Sequence, residues 1–66
     1  MNVLEIGTII KKRRKKLGLT QKYLAALANT GVRYISDLEN GKETTQLGKL
    51  LDVLNVLEIE MELSYE

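Results

Sequence analysis

"LTQKYLAALANTGVRYISDLENG", residues 19–41, places two short amphipathic segments on either side of a three-residue break, Asn29-Thr30-Gly31, with no proline to force it. Thr20 suits the N-cap of a helix running to about residue 29, with Leu24, Ala25, Ala28 and the aliphatic part of Gln21 on its inner face. Asn29 is among the few non-glycine residues that accept a left-handed backbone, and Gly31 accepts any conformation, so the chain can turn here. A second helix is predicted over residues 32–39, with Ile35 and Leu38 as its buried pair and Asn40-Gly41 as its stop.

Upstream, Ile6, Ile9, Ile10 and Leu17 recur on one side of a helix over residues 4–17, which Gly18 ends. Downstream, Leu47, Leu50, Leu51 and Leu54 repeat with helical period over about residues 45–55. Gly48 inside that helix costs roughly 1 kcal/mol relative to alanine, which points either to close helix packing or to a weak first turn. The period then changes to two: Leu57, Ile59, Met61, Leu63 and Tyr65 alternate with Glu58, Glu60, Glu62 and Ser64. A lone strand needs a partner, and a second copy of the same chain is the simplest one. The expected organisation is therefore a helical domain over residues 1–55 and a dimerisation strand over residues 56–66, with a helical or unstructured tail as the alternative. Glutamates facing glutamates would disfavour some registers of that pairing.

Sixty-six residues make one domain, and so short a chain buries only about 60% of its unfolded surface, which is a second reason to expect a homodimer. There is neither cysteine nor histidine, so disulfides, a Ser-His-Asp triad, a Cys-His nucleophile and the usual transition-metal sites are excluded. No catalytic residue, metal or cofactor is expected. No segment has the length of a membrane span and the N-terminus lacks a signal-peptide core, so the expected location is the cytoplasm, away from membranes. The net charge of +1 hides a strong asymmetry: residues 1–42 carry +6 and residues 43–66 carry −5. The basic part would attract a polyanion that the acidic tail would avoid.

Two short helices joined by a tight turn, with a small residue such as Ala25 where they cross, form a helix-turn-helix. An ordinary helical hairpin has the same pattern. If the motif binds double-stranded DNA, Val32, Arg33, Ser36 and Asp37 face away from Ile35 and Leu38 and would meet base edges. Arg33 could donate to guanine, Asp37 accept from cytosine, and Val32 touch a thymine methyl, at about 1–3 kcal/mol of discrimination per good pair. Alternatively Arg33 and Asp37 pair with each other, four residues apart. Thr20 and Gln21 open their helix beside free amides that suit a phosphate, and Gly31 lets the backbone approach DNA. Tyr34 either packs under its helix or offers its hydroxyl to a phosphate. The run Lys11-Lys12-Arg13-Arg14-Lys15-Lys16 goes all round a helix and reads mostly as a solvated face, with Arg13 nearest the apolar side.

Gly18-Leu19-Thr20-Gln21, Leu24-Ala25, Ile35-Ser36 and Leu38-Glu39-Asn40-Gly41 together resemble the Cro/repressor-type (Xre) helix-turn-helix family, over residues 6 to about 54. The family's usual turn glycine is replaced by Asn29. The stretch NTGVRYISDLENGKET, with the terminal alternation, is similar to HipB-like antitoxins, which carry sequences such as GVGRRFISELENGKPT. The resemblance implies a mainly α, lambda-repressor-like fold with a C-terminal strand pairing between subunits. It also implies an internal ion pair between Arg14 and Glu39 and backbone phosphate contacts by Asn40 and Lys42. At the level of function it implies a dimeric repressor of a pseudo-palindromic operator that controls its own operon and binds a HipA-like kinase toxin. A stand-alone regulator without a toxin, or an antitoxin acting mainly by protein binding, fits the same residues.

Overall fold

The computed structural model describes residues 2–43 and 46–62. Four helices follow one another: α1 (Val3–Lys16), α2 (Gln21–Leu27), α3 (Val32–Glu39) and α4 (Leu47–Val56). Asn2 caps α1 by accepting from the Glu5 amide at 2.9 Å, and Glu5 near the start and the four basic residues of the last turn complement the helix dipole. Thr20 caps α2 in the same way, its hydroxyl oxygen accepting from the Tyr23 amide at 3.0 Å.

All four helices end in the same turn. The residue after the cap is left-handed, at φ 73° for Gly18, 56° for Asn29, 74° for Gly41 and 56° for Glu58. In each, its amide and the next one reach back to carbonyls of the last turn, as Thr30 to Ala25 and Ile59 to Leu54 do at 2.9 Å. The turn between α2 and α3 thus requires its special backbone at Asn29. Gly31, at φ −85°, is the N-cap of α3 and needs no glycine conformation.

The core is one cluster of Ile10, Leu24, Ala25, Ala28, Ile35, Leu38, Val53, Leu54 and Leu57. Ala25 is nearly inaccessible within this core, and α2, which carries it, packs against α3. On α1 the buried face is centred on Gly7, Ile10 and Arg14, which leaves Ile9 and Leu17 exposed, against the wider apolar side predicted for this helix. A Cβ on Gly7 would lie 2.3 Å from the Leu38 carbonyl oxygen, so α1 crosses the end of α3 backbone to backbone.

In α4 the phase differs from the leucine repeat. Val53 and Leu54 are buried, whereas Leu47 and Leu51 are 62% and 45% exposed. Leu57 lies four residues beyond Val53 and three beyond Leu54, so the helical period claims it for the core before any alternation can. It is the cap of α4 and is fully buried within its own chain. Among the described residues there is no strand; Ile59 packs on the core and Met61 is exposed, while Leu63 and Tyr65 lie outside the described residues. Among the described residues nothing lies within 4 Å of a Cβ built on Gly48, so no close packing within the chain is seen there.

Candidate nucleic-acid interface

The two ends of α3 have opposite surroundings. At its C-terminal end, the Arg14 guanidinium grips the Glu39 carboxylate with two parallel bonds, Nε to Oε2 at 2.6 Å and Nη2 to Oε1 at 3.0 Å. Arg14 Nη1 also donates to the Leu19 carbonyl at 2.8 Å, and Gln21 Nε2 donates to Glu39 Oε1 at 3.1 Å. One carboxylate therefore joins α1, the start of α2 and the end of α3. Both side chains are nearly sealed from solvent, at 9% and 2% exposure. Burial pushes the Glu39 carboxyl up, but the bonds from Arg14 and Gln21 and the charges of Arg14 and Lys11 outweigh it and hold it below its ordinary value. The same hydrogen bond raises Arg14, against the cost of burial.

At its N-terminal end α3 is open. Gly31 supplies no side-chain cap, and Gly31, Val32 and Arg33 are exposed, with Ser36 and Asp37 half-buried one turn on. This leaves amide donors, a guanidinium, a hydroxyl and an apolar contact on one outward surface, the functional groups that read a major groove. Asp37 meets Lys42, not Arg33, at 3.7 Å, across the end of α3. Arg33 thus lies at the open end without the intrahelical partner that its spacing allowed.

The predicted phosphate contacts fall into two groups. Thr20, Gly31, Asn40 and Lys42 are exposed, and Thr20 keeps its hydroxyl hydrogen for an anion after accepting its capping bond. Gln21 and Tyr34 are half-buried and already engaged, Gln21 on Glu39 and Tyr34 by donating its hydroxyl to the Gln46 carbonyl at 3.2 Å. The Lys49 ammonium stands 5.7 Å from the centre of the Tyr34 ring. Tyr34 also packs against the core cluster, so its ring is a strut between α3 and the start of α4.

Sequence reasoning did not single out Gly7, the Tyr34 strut or the Asp37–Lys42 pair. Gly7 had a usable signal: it lies three residues before Ile10 and seven before Arg14, on the inward face, where a glycine marks close approach. Among the described residues no group of His, Cys, Asp or Glu is arranged to hold a metal ion, and no helix is long and apolar enough to cross a membrane.

This arrangement is shared with known proteins. The family described as helix-turn-helix matches residues 10–63. An uncharacterised HTH-type transcriptional regulator of Sinorhizobium fredii, y4mF, is 47% identical over 53 residues, covering 80% of this chain and 70% of that protein. Among solved structures, the restriction-modification controller protein C.AhdI of Aeromonas hydrophila superposes with a TM-score of 0.78 at 28% identity, covering 88% of this chain and 84% of that one. HipB, in the HipA-HipB-O2-O3 complex, superposes with a TM-score of 0.86 at 28% identity, over 98% of this chain and 92% of its own. The chain belongs to the helix-turn-helix family of DNA-binding transcriptional regulators.

Proposed function

We propose that the protein is a sequence-specific repressor that binds a pseudo-palindromic operator as a homodimer. In this reading Val32, Arg33, Ser36 and Asp37 meet the bases, and Thr20, Gly31, Asn40 and Lys42 meet the phosphates. The observation that carries it is the open N-terminal end of α3, with Val32 and Arg33 exposed next to an uncapped helix start. Two such helices reach successive major grooves when they lie about 34 Å apart.

A second copy also has a surface to cover. An apolar groove lined by Ile6, Ile9, Ile10, Leu54, Ile59 and Met61 runs between α1 and the C-terminal segment, with Leu51 along its flank. Leu57 is spent on its own core, so the proposed interface rests on Ile59 and Met61 with Leu63 and Tyr65 beyond them. The cytoplasm suits this role.

The superposition on HipB over 98% of the chain favours an antitoxin that controls its own operon and binds a HipA-like kinase toxin. The likeness to C.AhdI supports a second reading, a controller without a toxin. Selection of bound genomic fragments, with the identity of the neighbouring gene and of any larger protein that co-purifies, separates the two. On the selected operator, Arg33→Ala is expected to lose about 1–3 kcal/mol of discrimination at one base position. Lys42→Ala is expected to weaken all sequences alike and to flatten the salt dependence. Equal losses on operator and random DNA for Arg33→Ala defeat the base-reading role.

A further inference from the structure

We propose that Arg13 is a positioning residue that fixes the direction in which the C-terminal segment leaves α4 and thereby governs how two copies of the chain meet. This rests on the dimer reading above and names a residue that the reading did not require.

Arg13 belongs to a basic run in which Lys11, Lys12, Lys15 and Lys16 are exposed. Only Arg13 and Arg14 of that run turn inward. Consecutive residues on a helix point about 100° apart, so the two guanidinium groups leave α1 in different directions. Arg14 goes to the end of α3. Arg13 goes to the end of α4, where its Nε donates to the Leu57 carbonyl at 2.9 Å across 44 positions of sequence.

That carbonyl needs a donor. The last carbonyls of a helix have no partner within it, and the closing turn of α4 serves Val53, Leu54 and Asn55 through the amides of Leu57, Ile59 and Glu58. The Leu57 carbonyl lies just past them, and Arg13 supplies its bond.

The turn itself is the least favourable of the four. Gly18, Asn29 and Gly41 are residue types that accept a left-handed backbone, whereas Glu58 has a full side chain and takes φ 56° all the same. Immediately beyond it, Ile59 and Met61 line the groove offered to a second copy. A guanidinium braced on the cap of α4 thus holds a strained joint at the one point where the helical domain passes into the proposed interface. Through Arg13 and Arg14, α1 sets the recognition helix and the assembly segment in one frame.

The test uses the full chain with Arg13→Met, which keeps an unbranched apolar stem and removes the donor, and Arg13→Lys, which restores a donor. Sedimentation across a concentration series is expected to show the dimer dissociation constant rising about tenfold in Arg13→Met. Arg13→Lys is expected to recover most of that loss. Amide exchange is expected to quicken at Ile59, whose bond closes the turn, and to stay as in the parent at Leu24 and Ile35. An unchanged dissociation constant in Arg13→Met overturns the proposal, as does exchange that quickens equally at all three amides, since that is the mark of a general loss of stability. A parent chain that remains monomeric throughout the series defeats the dimer reading and takes the assembly role of Arg13 with it. The Ile59 amide then still reports whether Arg13 holds the joint.

Discussion

The C-terminal end of α3 is closed and its N-terminal end is open, although the helix is only eight residues long. Leu38 and Glu39 lie under Gly7 and within the reach of Arg14, and Gly41 fits its α-carbon against Leu4, where a Cβ would meet the Leu4 α-carbon at 2.9 Å. Gly31, Val32 and Arg33 touch little. The difference teaches how a small protein aims a helix: the buried end fixes the angle, and the other end is left free for the DNA contacts proposed above. A charged pair serves as the anchor because its two parallel bonds fix orientation as well as distance, which apolar packing alone does not.

The sharpest way to break this contrast is to cut the anchor. Glu39→Ala leaves Arg14 buried and unpaired, at an expected cost of about 3–5 kcal/mol. The total stability of so short a chain is about 3–10 kcal/mol, so thermal melting should find this variant largely unfolded or close to it. A loss no larger than that of Asp37→Ala, which breaks the more exposed pair with Lys42 and should cost about 1 kcal/mol or less, would deny the buried end its special status.

Acid probes the same pair without mutation. Glu39 is held below its ordinary value of 4.5, so its stabilising share is complete above that pH and is lost as the pH falls from there through its folded value. Denaturant melts at descending pH should show this decline in the parent and a shallower one in Glu39→Gln.

Gly7→Ala tests the backbone crossing. Its Cβ would stand 2.3 Å from one carbonyl oxygen and 2.8 Å from the next, neither of which can rotate away, and the expected cost is about 1–3 kcal/mol. In a domain of this size that corresponds to a fall in melting temperature of about 4–8 °C per kcal/mol. At the open end the effect on folding should nearly vanish. Arg33→Ala is expected to change stability by no more than about 0.5 kcal/mol while changing DNA discrimination. A large stability loss there would erase the distinction between the two ends.

Much of this contrast can be read from residue types. The bounds of α3, the N-cap at Thr20 and the left-handed Asn29 follow from local chemistry, because each depends on one or two neighbouring peptide groups. The Arg14–Glu39 pair came only through family resemblance, since the helical wheel pointed more squarely at Arg13. What escaped was phase and long-range contact. Leu47 and Leu51 have the right spacing for a buried face, but so do Val53, Leu54 and Leu57, and only the position of α2 and α3 decides between the two sets. The alternation from Leu57 to Met61 overlapped the end of a helix, and a glutamate gives no warning of a left-handed turn. The bond from Arg13 to Leu57 joins residues 44 positions apart, and its acceptor is a backbone carbonyl, which every residue possesses.

The helices among the described residues are 14, 7, 8 and 10 residues long. In isolation, helices below about 12–15 residues barely persist in water. α3 therefore exists only while its neighbours hold it, and the surface that would read DNA cannot outlive the rest of the fold. Opening of α1 is therefore expected to cost α3 its order in the same event, so that folding and the exposed surface of α3 are lost together.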